Sequence, residues 1–292
     1  MQKASAPGLT SDTDAPKPPS LHLASCILHP ASPIGVFDSG VGGLSVLAEI
    51  ARQLPHEDLL YFADSAHCPY GPRPAEEIRR LSCAVVEFLL EQGAKLIVVA
   101  CNTASAAALT HLRQTFAVPI VGMVPAVKPA ATVTNRKVVG VLATRATVQG
   151  QLFAEVVEQF ATGVEVIPQV CPGLVERVEA GEINGPEVEA LLRRYLKPLL
   201  ERGADTLVLG CTHYPFLIPA MRRIVGADVA ILDPSPAVAR QAGRVLAKRG
   251  LLNPKAGPGR RVYFTSGDPA AFAALLEKLM GERGEVRGVE WG

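Results

Sequence analysis

From residue 34 onward the chain alternates short apolar runs with amphipathic stretches. IGVFD (34–38), LLYFA (59–63), KLIVVA (95–100), VPIVGM (118–123), KVVGVLA (137–143), VEVIP (164–168), DTLVLG (205–210), VAILD (229–233) and RVYFT (261–265) are the runs. Each is rich in β-branched or aromatic residues and too short for a buried helix, so each predicts a strand. Apolar positions between them recur at helical spacing, as in the stretch up to about Gln53 and that from about Ala75 to Gln92. Strands alternating with helices are the signature of α/β units on parallel sheets.

The two halves of the pattern echo each other. LIVVAC (96–101) aligns with TLVLGC (206–211), and IGVFDSG (34–40) with VGVLATR (139–145). PIVGMVPA (119–126) sits at a similar offset from VAILDPSPA (229–237). Buried parallel strands do resemble one another, but three matched segments in order favour a duplication. The expected fold is therefore two similar open parallel-sheet α/β domains, related by a pseudo-twofold axis, with an active site in the cleft between them. Residues 34–130 plus 236–292 form the first domain and residues 131–235 the second. Residues 1–33, with Pro7, Pro16, Pro18, Pro19, Pro30 and Pro33, read as a disordered extension. The weak apolar patch at 21–28 lacks the basic lead-in and cleavage site of a signal peptide.

Composition narrows the function. Formal net charge is +1 from 29 basic and 28 acidic residues, aromatics are 5%, and no block of like charge occurs. Nucleic acid and membrane surfaces are therefore not expected partners. None of the apolar runs approaches the roughly 20 residues of a membrane helix. Six cysteines form no CxxC pair and six histidines are scattered. The paired spacing of a zinc site is missing, although spacing leaves open one assembled from distant positions. Free thiols in a chain of this length point to a reducing, cytoplasmic setting.

The candidate chemistry sits where ligands bind in open α/β sheets, beyond the carboxyl ends of the strands. Cys101 and Cys211 each close an apolar run and open a helix, whose N-terminal N–H groups and dipole favour a thiolate. An isolated Cys is more often an inert core residue. Two in matched positions argue instead for two acid/base groups meeting across one cleft, able to move a proton between the faces of a carbon. Asn102 and Thr103 after one thiol, and Thr212 and His213 after the other, can hold a carboxylate. DSGVGGLS (38–45) lacks the GxGxxG spacing of a dinucleotide turn. In it Asp38 reads as a proton-handling or orienting group near a thiol, with a helix N-cap as the plain alternative. Ser39 reads as a donor to substrate. Tyr70 and Gly71 lie in the stiff loop CPYGPRP (68–74), which either closes over the ligand or merely connects. His213 can exchange a proton with Cys211 or orient substrate, and Glu179 is a candidate partner for its imidazole. Cys68, Cys83 and Cys171 lack the strand-end context and read as structural.

DSGVGG, ADSAHCPYG, VVACNTAS, GVLATRATV, LVLGCTHYP and ILDPS, in that order, resemble the bacterial glutamate racemases of the aspartate/glutamate racemase superfamily. The likeness runs from about Ile34 to the C-terminus. It implies a cofactor-independent enzyme that interconverts L- and D-glutamate for peptidoglycan, with Cys101 and Cys211 as the two catalytic groups. It carries catalytic assistance onto Asp38 and His213. Substrate contacts fall on Asp38, Ser39, Tyr70, Gly71, Asn102, Thr103, Thr212 and His213, and Glu179 takes the place of a glutamate supporting the histidine. The local sequence CPGLVERVE departs from the commoner form, so Glu176 competes with Glu179 for that place. No metal is implied. The resemblance also implies a homodimer, although no stretch of the sequence marks an interface.

Rival readings are a racemase of a related substrate such as aspartate, a cysteine hydrolase using Cys211 with His213, and a non-catalytic amino-acid-binding protein. Aspartate-type enzymes lack DSGVGG and usually carry an acidic residue where His213 stands. Residues two apart across a strand-to-helix turn suit a hydrolase dyad poorly and leave Cys101 without a task. Reactive thiols on both faces would be a liability in a mere binder.

Overall fold

The computed structural model describes residues 28–290. Residues 1–27, most of the expected extension and of its apolar patch, lie outside the described residues. Residues 28–33 lead into the first strand: Leu28 packs against the core and the Pro30 carbonyl accepts a hydrogen bond from Lys95 Nζ.

Ten strands and eleven helices follow in near-strict alternation. In chain order the first half runs β1 (Ile34–Asp38), α1 (Leu44–Gln53), β2 (Leu59–Ala63), α2 (Ala75–Glu91), β3 (Leu96–Val99), α3 (Asn102–Thr115), β4 (Ile120–Gly122) and α4 (Val127–Val133). The second comprises β5 (Val138–Ala143), α5 (Arg145–Gln149), α6 (Gln151–Phe160), β6 (Glu165–Val170), α7 (Leu174–Glu179), α8 (Pro186–Glu201), β7 (Thr206–Gly210), α9 (Ile218–Val225) and β8 (Ala230–Leu232). Then come α10 (Ser235–Lys248), β9 (Arg261–Thr265), α11 (Pro269–Met280) and β10 (Glu285–Gly288). Among the described residues no helix is long and apolar enough to cross a membrane.

The strands form two wholly parallel sheets, ordered β10-β9-β2-β1-β3-β4 and β6-β5-β7-β8. The four-strand order β2-β1-β3-β4 repeats as β6-β5-β7-β8. The three segment pairs matched in the sequence are β1 with β5, β3 with β7 and β4 with β8, each pair at the same place in its sheet. β1, β2, β3 and β7 are buried along their whole length, as parallel strands covered by helices on both faces must be. Their continuous apolar runs are the direct consequence.

β10, with sequence EVRG, is not expected from the sequence. It has no apolar run, is largely exposed, and is held as an edge strand by backbone pairing to β9. Asp205, just before β7, receives Thr134 Oγ1 at 2.5 Å and the amides of Asn135 and Arg136 at 2.8 Å, which ties down the chain where it passes into the second sheet. The chain returns through α10, which packs on α1. Both sheets thus present the carboxyl ends of their strands to a shared cleft.

Candidate active site

The cleft narrows to a tight cavity. Its lining includes Ser39, Tyr70, Gly71, Cys101, Asn102, Thr103, Thr144, Cys211, Thr212 and His213. Nine of these are positions singled out from the sequence. Asp38 and Glu179, the other two, stand behind the wall.

Cys101 follows β3 and caps α3, its sulfur accepting from the Ala104 amide at 3.4 Å. Cys211 occupies the equivalent place after β7, where a short 3-10 turn (Tyr214–Leu217) replaces the first turn of a helix. One thiol therefore enters the cavity from each sheet. On the first side, Cys101 Sγ lies 3.9 Å from Ser39 Oγ and interacts with the Asp38 carboxyl. Asp38 Oδ2 accepts from the Gly43 amide at 2.6 Å, at the entry to α1, and from Thr212 Oγ1 at 3.2 Å. The cap residue of α1 is Gly43, not Asp38, whose carboxyl instead accepts from the Gly43 amide. On the second side, Cys211 Sγ lies 3.7 Å from His213 Nδ1, and His213 Nε2 lies 2.5 Å from Glu179 Oε1.

Glu179 Oε1 also accepts from the Val41 amide at 2.8 Å, which fixes the carboxylate from the opposite domain. Glu176 is exposed, so α7 turns Glu179 and not Glu176 toward the histidine. The glycines of DSGVGG have a steric reason. A Cβ on Gly40 would lie 2.0 Å from Glu179 Oε1, and one on Gly42 2.3 Å from His213 Nδ1. The turn is glycine-rich because polar side chains of the other half press against it.

Burial shapes the proton affinities. It pushes the Asp38 carboxyl up, with the nearby His213 offsetting part of the rise. Burial, reinforced by Asp38, lifts the Cys101 thiol well above its ordinary range and keeps it protonated. Burial by itself lowers His213, but hydrogen bonds to Cys211, Cys68 and Glu179 outweigh it and hold the imidazole well above the usual histidine value. Glu179 shows the reverse balance: burial raises it, and its bonds to His213 and the Val41 amide bring it below the ordinary carboxylate range. A protonated thiol on one side thus faces a histidine-assisted thiol on the other.

The remaining lining residues divide into engaged and free groups. Thr103 Oγ1 meets Thr144 Oγ1 at 2.9 Å across the two domains. Tyr70 donates to Asp64 Oδ2 at 2.5 Å, and Asp64 also receives Ser266 Oγ at 2.7 Å and contacts His67 Nδ1 at 2.8 Å. The Tyr70 hydroxyl is therefore committed to Asp64, and burial beside that carboxylate keeps it protonated. Asn102 is 3% exposed, and neither its side-chain oxygen nor its nitrogen has a protein partner. A buried amide left unpaired in a cavity wall is free to pair with a polar ligand.

Three participants are not foreseen from the sequence. Thr144 holds the position after β5 that Ser39 holds after β1, and the IGVFDSG–VGVLATR match contains that signal. Asp64 has no local signal, because its partners come from the loop before α2 and from the end of β9. Cys68, expected to be structural, has its sulfur within 4.8 Å of a Glu179 carboxylate oxygen and a His213 ring nitrogen.

Residues 34–242 match the model of the Asp/Glu/hydantoin racemase family. The chain is 55% identical, over 85% of its length and 92% of the relative's, to glutamate racemase of Roseiflexus sp. strain RS-1. Among solved structures it is similar to a glutamate racemase isoform from Bacillus anthracis, with TM-score 0.82 and 36% identity over 90% of this chain and 98% of the other. It is also similar to Escherichia coli glutamate racemase in complex with L-glutamate and the activator UDP-MurNAc-Ala, with TM-score 0.79 and 32% identity over 89% of this chain and all (100%) of the other.

Proposed function

The chain belongs to the Asp/Glu/hydantoin racemase family, and from that membership we propose that its cleft interconverts L- and D-glutamate by two-base proton transfer. One observation carries the mechanism: Cys101 and Cys211 leave equivalent strand ends of two sheets and line the same small cavity. A thiolate on one side removes the Cα proton, and the thiol on the other side returns a different proton to the opposite face.

The Cα proton of an amino acid is a very weak acid, so the substrate carboxylate must be neutralised as charge develops. Asn102, whose side-chain amide has no protein partner, supplies a donor on the cavity wall for this purpose. Asp38 takes up or returns the proton of Cys101, and His213 serves Cys211 in the same way, held in register by Glu179. Acid–base catalysis contributes about 100–10,000-fold, and the greater part of the barrier falls to orientation in a closed, dry cleft. The bridges Thr212–Asp38, Val41–Glu179 and Thr103–Thr144 support that closure.

Five free thiols among the described residues accord with a reducing cytoplasm. D-Glutamate for peptidoglycan and assembly as a homodimer belong to the same reading through the family resemblance. The deciding assay mixes the purified protein, without added cofactor, with L-glutamate or L-aspartate and follows circular dichroism. The glutamate signal decays to zero and the aspartate signal persists. A glutamate signal that holds steady under reducing conditions overturns the proposal.

A further inference from the structure

Behind His213, outside the substrate cavity, the Cys68 sulfur, a Glu179 carboxylate oxygen and a His213 ring nitrogen all lie within 4.8 Å of one another. Cys68 and Glu179 are absent from the cavity lining, whereas His213 reaches it. We propose that Cys68, Glu179 and His213 form an inhibitory Zn²⁺ site that silences the enzyme by capturing the imidazole from behind. The inhibitory part rests on the racemase reading above; the metal site itself does not.

The donor set is one thiolate, one imidazole and one carboxylate, which suits a borderline-soft, tetrahedral ion with one open position. Bonds of about 2.3 Å to sulfur and about 2.0–2.2 Å to nitrogen and oxygen place tetrahedral ligand atoms roughly 3.3–3.6 Å apart. The Nε2–Oε1 contact of 2.5 Å must therefore open by about 1 Å, and the sulfur must close in by up to about 1.5 Å. Side-chain rotation supplies both. An outer shell is already present, since the Val41 amide holds Glu179 Oε1 at 2.8 Å and Cys211 faces the other ring nitrogen of His213 at 3.7 Å. Gly40 is what permits the crowding, because a Cβ there would lie 2.9 Å from Cys68 Sγ.

Binding replaces protons with metal. The Cys68 thiol releases one proton to solvent and the imidazolium releases its Nε2 proton, while Glu179 gives up its hydrogen bond to His213 for a bond to the ion. The imidazole then keeps its Nδ1 hydrogen and has no free nitrogen to accept a proton from Cys211. Proton exchange through His213 stops while the cavity stays open, so Zn²⁺ lowers kcat with little change in KM. Metal bound directly to Cys101 or Cys211 would instead compete with glutamate.

The test titrates metal-free, reduced full-length protein with Co²⁺ as a spectroscopic stand-in for Zn²⁺, and separately measures inhibition by Zn²⁺. One equivalent of Co²⁺ gives a thiolate-to-metal charge-transfer band in the wild type and in a C101S/C211S variant, and none in C68S or C68A. Zn²⁺ inhibition is noncompetitive with glutamate and reversed by a chelator. Measured against each variant's own metal-free rate, it weakens by about tenfold or more when Cys68 is replaced. No band in the wild type, a band that survives in C68S, or inhibition competitive with glutamate overturns the site. The band is read without turnover, so failure of the racemase reading leaves this result intact.

Discussion

His213 and Glu179, 34 residues apart in sequence, meet at 2.5 Å with Nε2 against Oε1, and the other ring nitrogen of His213 faces Cys211. The carboxylate, itself fixed by the Val41 amide, helps keep the imidazole protonated despite complete burial. Glu179→Gln removes that charge partner while preserving shape. A histidine with a raised pKa stays charged to higher pH, so the substitution lowers the pH at which His213 loses its proton. The alkaline limb of the kcat profile therefore moves to lower pH. Near neutrality kcat falls about 10- to 100-fold, matching about 1.5–3 kcal/mol for a hydrogen bond to a charged group. A pH profile on the variant, with the His213 ring signals followed by NMR, checks both; an unmoved limb removes Glu179 from the relay.

Cys101→Ser and Cys211→Ser each abolish racemisation, because a hydroxyl is far too weak an acid to replace either thiol. The loss is at least about 100–10,000-fold for each. Polarimetry on both variants, beside thermal melts to establish folding, provides the measurement. Near-normal turnover in either one would contradict the two-base assignment.

How far the sequence reveals this site depends on what each residue's neighbours are. Cys101 and Cys211 are legible because an apolar run ending in Cys and polar residues encodes both the strand end and the place of the thiol just beyond it. His213 is legible because it follows Cys211 by two residues, and Asp38 because it closes β1, the strand that pairs with β3. Glu179 is narrowed only to one of two glutamates, since the choice depends on the phase of a six-residue helix against the opposite domain. Cys68 and Asp64 take their meaning from contacts across loops, which no local pattern encodes. β10 is hidden for a related reason: backbone pairing to β9 makes it a strand, not its own side chains.

Asn102 tests substrate anchoring. Its amide is buried, lines the cavity and has no protein partner, so the bound substrate satisfies it. Replacement by Ala removes a partner that a polar substrate group then lacks, at a cost of about 1–3 kcal/mol. We expect kcat/KM for glutamate to fall about 10- to 100-fold with the melting temperature little changed. Steady-state kinetics in both directions supply the measurement, and unchanged kcat/KM would place the amide outside the substrate's reach.

Gly42→Ala tests the packing of the glycine-rich turn against the opposite domain. The new methyl lies 2.3 Å from His213 Nδ1 and 2.6 Å from Thr212 Oγ1, so one wall must move. Overpacking of this kind costs about 1–3 kcal/mol of stability. Activity suffers more, because the displaced group is the imidazole that serves Cys211. Denaturant melts and kinetics on the same preparation separate the two effects. A variant that is destabilised but fully active would mean that the turn yields and the histidine does not.

The far edge of the first sheet offers a contrasting case. Lys95 Nζ, just before β3, lies 2.5 Å from Glu57 Oε2, and the two residues are 0% and 4% exposed. Glu57 Oε1 also accepts from the Asn253 amide at 2.8 Å, and the lysine also donates to the Pro30 carbonyl. The pair stitches four segments together at the amino end of β3, with the whole strand between it and Cys101. Lys95→Ala leaves a carboxylate buried without its cation, which costs about 3–5 kcal/mol. The melting temperature falls steeply while kcat and KM of the folded enzyme hold. Replacing both partners, as in Lys95→Met with Glu57→Leu, recovers most of the loss, because an apolar pair of similar volume needs no compensation for desolvated charge. Calorimetry on the single and double variants decides the matter: a double variant no more stable than Lys95→Ala would assign the loss to side-chain packing and not to the stranded charge.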